Sequence, residues 1–198
     1  LAGTATANWL SVYNPGNSTF SAQVKIYQQD GSLLNTQSVS LGAGERSDIG
    51  LGHPIGQVTG LYEIIPDNSS APYGAFLSRY NTADGQTYNF AFSLQSLPGS
   101  CNESIPASSM GNAANWLEIG NTSSSSKTFT VEMRDRFGTL VRSESRSVAP
   151  HAQDNVYLNS YIDPAGTGNV GSVRVVCANT SDKLIVQSTF YGHHTASD

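Results

Sequence analysis

The sequence predicts an all-β protein built as two tandem antiparallel β-sandwiches, immunoglobulin-like or jelly-roll-like. Three observations carry this. Apolar and polar residues alternate at period two in several short runs, turn residues separate the runs, and the whole pattern occurs twice. Period two with one apolar face is the signature of a half-buried strand.

The first strand begins at Asn8-Trp9-Leu10, which returns as Asn115-Trp116-Leu117, a shift of 107. That shift also carries Val12 to Ile119, Asn14 to Asn121, Gly31 to Gly138, Leu41 to Val148 and Ile49 to Val156. A Trp duplicated at strand entry beside a Leu reads as a core plug. Asn14 and Asn121 are expected to end their strands in a turn capped by the side chain. The next strand shows Ala22, Val24 and Ile26 alternating with Gln23, Lys25 and Tyr27, and its copy shows Phe129, Val131 and Met133. Asp30-Gly31 and Phe137-Gly138 supply the following turns.

After Ile49 the register slips. Leu61 and Ile65 align with Val173 and Cys177 at a shift of 112, and Ser78 and Tyr80 with Ser188 and Phe190 at 110. This predicts about five extra residues around Asn159 to Gly168, and a shorter turn after Asn68 in copy one's counterpart, because loops absorb insertions and strands do not. A further strand follows in copy one, with Tyr88, Phe90, Phe92 and Leu94 on one face. Copy two stops within seven residues of Tyr191 and shows no such run. The expected domains are therefore residues 1–97 and 113–198. The Pro-, Gly- and Ser-rich residues 98–112 read as a linker. The alternative is an ordered strap across one domain.

A sandwich short of one strand exposes backbone groups and a stripe of core. The strand Tyr88, Phe90, Phe92, Leu94 is the candidate for exchange: it closes copy one, reaches forward into copy two, or joins another chain. The last arrangement is head-to-tail and builds filaments.

Composition narrows the function classes. Charged residues make up 13% of the chain, about half the usual share, while Ser and Thr number 43 and Asn 15. A net charge of −5 without a basic stripe disfavours nucleic acid and anionic membrane surfaces as partners. No apolar run is long enough to span a bilayer as a helix. The chain starts at Leu1, which suggests a removed signal peptide or a fragment, both consistent with export to the cell surface or beyond. Cys101 and Cys177 are then most simply one disulfide, although the alignment of Cys177 with Ile65 also suits a small buried thiol. Asn17, Asn68, Asn102, Asn121 and Asn179 head Asn-x-Ser/Thr triplets in turns, candidate glycosylation acceptors.

Chemistry is hard to find. There is no Gly-x-Ser-x-Gly elbow, no phosphate loop and no poised Cys/His pair. His53, His151, His193 and His194 lack ligand spacing, and the loop Asp163 to Asn169 lacks the acids of a calcium site. The expectation is no catalytic, cofactor or metal site.

The run Asn14-Pro15-Gly16, then Ala22-x-Val24-x-Ile26-Tyr27, then Leu41-x-Ala43-x-x-Arg46 resembles the exported β-sandwich repeats of the sensory rhodopsin transducer-like family. Copy two keeps Asn121, Val131, Met133 and Val148 but has Gln153 in place of Arg46. The resemblance implies a small non-enzymatic module for binding or assembly, with sugar ligands. The overall expectation is a non-enzymatic cell-surface structural or adhesive protein that self-associates, with a glycan-binding module of a larger secreted protein as the alternative.

Overall fold

The computed structural model describes residues 6–50, 60–82, 88–95, 99–110, 114–162 and 169–191. It divides into two compact units, residues 1–97 and 98–198. Unit 1 contains β1 (Thr6–Tyr13), β2 (Phe20–Tyr27), β3 (Leu33–Leu41), β4 (Arg46–Gly50), β5 (Leu61–Pro66), β6 (Gly74–Thr82) and β7 (Tyr88–Gln95). Unit 2 contains β8 (Ser104–Ser108), β9 (Ala114–Asn121), β10 (Lys127–Asp135), β11 (Leu140–Val148), β12 (Gln153–Tyr157), the single turn α1 (Asn159–Ile162), β13 (Val170–Cys177) and β14 (Leu184–Tyr191).

Each unit is an antiparallel sandwich. In unit 1 the sheets run β4-β1-β6-β7 and β3-β2-β5; in unit 2 they run β12-β9-β14 and β11-β10-β13-β8. Six strands are thus common to both, and the seventh differs: β7 extends one sheet of unit 1, and β8 extends the other sheet of unit 2. The cores are built from the alternation seen in the sequence. Leu10, Val12, Phe20, Val24 and Leu41 are buried in unit 1, and Leu117, Ile119, Phe129, Val131 and Met133 in unit 2. At about 25 cal/mol per Å² of apolar surface removed from water, such burial is the main source of stability.

Two register readings need correction. Val24 pairs with Ile64 and Val131 with Val175; Leu10 pairs with Leu77 and Leu117 with Ser188. Both relations give a shift of 111, not 112 and 110. One insertion of four residues between β12 and β13 therefore explains the whole difference. The turn after Asn68 is not shortened: Asn68 and Asn179 each accept from the amide two residues on, Ser70 and Ser181, at 3.0 Å. The sequence alignment slipped because Ile65 and Cys177 are both apolar, yet a one-residue slip places a side chain on the opposite face.

The expected linker 98–112 is corrected over its described part, residues 99–110, which belong to unit 2. Within them β8 pairs with β13, Ile105 lying opposite Val173, and Cys101 is bonded to Cys177. The strap is the arrangement found. Its Pro106 is compatible with a strand because β8 is an edge, where one missing donor is tolerated.

Candidate functional site

The two units provide a natural comparison, because among the described residues each shows a seventh strand that the other does not. In unit 2, β8 covers the outer edge of β13. The Val175 amide points away from β10 and donates to the Glu103 carbonyl at 2.9 Å. Beneath β8, Val173, Val175 and Cys177 are 0%, 1% and 7% exposed. Their equivalents in unit 1 are Tyr62, Ile64 and Pro66 on β5. All three are only partly buried, Tyr62 and Ile64 packing on the core, and among the described residues no strand lies along the edge of β5 that faces away from β2. The seventh strand seals the core of unit 2, and the same seam in unit 1 is partly open.

The opposite edge shows the converse. In unit 1, β7 pairs along β6 from Phe76–Gln95 to Thr82–Tyr88. The candidate exchanged strand Tyr88, Phe90, Phe92, Leu94 thus sits beside its own unit. In unit 2 the matching edge of β14 carries one isolated bridge, where Leu184 and Ser100 exchange bonds of 2.8 and 3.0 Å. Antiparallel strands alternate the direction of their backbone groups. The Leu184 amide and carbonyl face the outer edge, so those of Val186 and Ser188 do too, and no strand among the described residues receives them.

Each unit is held by a duplicated clamp. Asn14 Nδ2 donates to the carbonyls of Ser18, Leu41 and Gly42 at 2.7, 3.1 and 3.0 Å. Asn121 Nδ2 does the same to Ser125, Val148 and Ala149 at 2.8, 3.3 and 2.9 Å. Their Oδ1 atoms accept from the Gly16 and Ser123 amides at 2.9 Å. A strand-ending turn was legible from the sequence; the reach across to the third strand was not. The clamp also removes one glycosylation candidate. Asn121 is fully buried with its amide nitrogen committed to three carbonyls, so a glycan there is incompatible with the folded unit. Asn17, Asn68, Asn102 and Asn179 are exposed.

The outward face of the first sheet corrects the expectation for the tryptophans. Leu10 and Val12 point into the core, so Trp9, Ser11 and Tyr13 point away from it. Trp9 is 37% exposed and Tyr13 42%. Trp9 lies beside Gly50, where a β-carbon would sit 3.5 Å from its ring, and Tyr13 lies over Gly74, where a β-carbon would meet the ring at 2.2 Å. Between the rings, Ser11 Oγ donates to Asp48 Oδ1 at 2.5 Å, and Arg46 reaches Ser11 Oγ and Asp48 Oδ1 at 3.0 and 2.9 Å. The Arg46 guanidinium stands 5.3 Å from the centre of the Phe76 ring. The Ser11 hydroxyl, then Arg46, hold the Asp48 carboxyl below its ordinary range.

Unit 2 keeps the tryptophan and rebuilds the rest. Tyr157 takes the place of Gly50 and its ring lies 5.0 Å from that of Trp116. Gly120 replaces Tyr13, and Glu118, which accepts from Gln187 at 2.6 Å, replaces Ser11. Among the tyrosines, Tyr13 and Tyr73 are exposed and Tyr27 is buried. Burial and the neighbouring Glu63 push the Tyr27 phenol up to about 12.

Among the described residues no three His, Cys, Asp or Glu side chains converge as a metal site. His151 occupies a turn with φ 54°; His53, His193, His194 and residues 163–168 of the calcium-loop candidate lie outside the described residues. No protein-family model matches the chain, and no curated protein or solved structure is significantly similar to it.

Proposed function

We propose that this chain is a non-catalytic structural or adhesive subunit of the extracellular or cell-surface space, which associates with further copies through its sheet edges. The observation that carries this is the uneven sealing of two otherwise equivalent seams. Val173 and Val175 are covered by β8, whereas Tyr62 and Ile64 are left partly uncovered on β5. A sheet edge whose apolar face is only partly covered is a template for strand addition. The disulfide fits an oxidising compartment, and no described helix is long and apolar enough to cross a membrane.

Simple exchange of β7 between copies would vacate one edge for each that it fills, because the described chain offers one such strand for the edges of β6 and β14. Direct pairing of β14 with β5 of the next copy leaves neither edge open. It relates copies head to tail and continues without closing, which gives a filament. Pro66 withholds one donor on β5, so the ladder there is short.

Sedimentation velocity over a wide concentration range, followed by negative-stain electron microscopy, tests this. Concentration-dependent growth into linear particles is expected. A single monomeric species up to the highest soluble concentration overturns it.

A further inference from the structure

We propose that the outward face of β4-β1-β6 in unit 1 is a binding site for a neutral oligosaccharide, independent of any edge pairing. Four features converge on this face. Two aromatic rings are exposed, Trp9 at 37% and Tyr13 at 42%. Both are set against glycines that leave room for a ring beside the sheet, Gly50 and Gly74. An acceptor and a donor, Asp48 and Arg46, stand between them, anchored to each other and to Ser11. The carboxylate and guanidinium balance in charge, so the face selects a neutral ligand over an anionic one.

Sugar rings present a flat face of C–H groups that packs on an aromatic ring, and a rim of hydroxyls that both donate and accept. Asp48 bonds its protein partners through Oδ1 alone among the described residues, which leaves Oδ2 to accept from a hydroxyl. Arg46 likewise spends Nε and Nη2 on the network, leaving Nη1 to donate. Trp9 and Tyr13 are four residues apart on one strand, about 14 Å at the rise of an extended chain. That exceeds one sugar ring, so the ligand is a chain of several.

The duplication argues that the fold does not require this face. Core and clamp positions persist between copies, while Tyr13, Asp48 and Arg46 become Gly120, Asn155 and Gln153. Unit 2 therefore has neither the Tyr13 ring nor the carboxylate–guanidinium pair beside Trp116.

The test is affinity electrophoresis of the full chain through gels containing soluble β-glucan, galactomannan or xylan, with alginate as the anionic control. Retardation by at least one neutral polymer and not by alginate is expected. The double variant Trp9→Ala/Tyr13→Ala should weaken retardation at least tenfold, Asp48→Asn several-fold, and Trp116→Ala should leave it unchanged. Circular dichroism confirms that each variant is folded. Absence of retardation by all three neutral polymers, or retention of binding in the folded double variant, overturns the proposal.

Discussion

The clamp asparagines carry the clearest residue-level expectation. Asn14→Ala or Asn121→Ala removes one acceptor and a donor group serving three carbonyls. A buried group left unpaired costs about 1–3 kcal/mol, so each substitution should destabilise its unit by about 3 kcal/mol, read as a lowered urea midpoint. Asn14→Asp should be as harmful, because a carboxylate cannot donate to the carbonyls of Ser18, Leu41 and Gly42. Glycopeptide mapping of native material should find Asn121 unmodified. Asp48 carries a pH expectation. Its carboxyl is held low in the folded state, by Ser11 first and Arg46 second. Its contribution is therefore present above the unfolded carboxyl value of about 3.9 and is lost as pH falls through the lower folded value. Asp48 and Arg46 are about half exposed, so the contribution is at most about 1 kcal/mol. Comparing the urea midpoints of wild type and Asp48→Asn, the gap at pH 7 should close by pH 2.

Among the elements, β8 and β14 decide the most. The disulfide between Cys101 and Cys177 spans 76 residues of sequence, for which chain entropy predicts about 4.5 kcal/mol. Reduction, or Cys177→Ser, should lower the stability of unit 2 by up to that amount and expose the β13 edge to limited proteolysis near Ser104. On β14, two neighbouring prolines should behave oppositely. Gln187→Pro removes an amide that faces β9 and should unfold the lobe, at about 3 kcal/mol or more. Val186→Pro removes one that faces outward, where an edge tolerates proline; it should fold and fail to associate. Sedimentation of the two variants separates these outcomes. Strands such as β2, β10 and β13 were legible because their alternation is regular and one face is apolar. β8 was not, since Ile105-Pro106-Ala107 is a short run broken by a proline, and what makes it a strand is its neighbour β13. The slipped alignment of β5 has a related cause: an apolar residue on each face, Ile64 and Ile65, lets either register look right.

For the molecule as a whole, the duplication made the fold class and the two lobes readable, because the same core pattern recurs with its turns. The unequal ends of the copies led to the expectation of one strand fewer in the second; among the described residues it has no counterpart of β7 but gains β8, so each unit shows seven strands. The complementary gap in the first was invisible, since it depends on where residues 98–112 go. The saccharide face was hidden for another reason: Trp9 beside Leu10 has the look of a core pair, and only strand pairing shows which of the two faces outward. If edge pairing drives assembly, joining copies should survive high salt, because backbone bonds and apolar seams are not screened; light scattering at 0.1 and 1 M NaCl checks this. The seating of β8 also bears on any attempt to study the halves apart. A proteolytic or recombinant cut placed near Met110, where the repeat itself begins, would strip the second lobe of its seventh strand and leave Cys177 a lone thiol. A cut ahead of Pro98 keeps both, so the functional border of that lobe lies some fifteen positions upstream of where its ancestral duplicate starts.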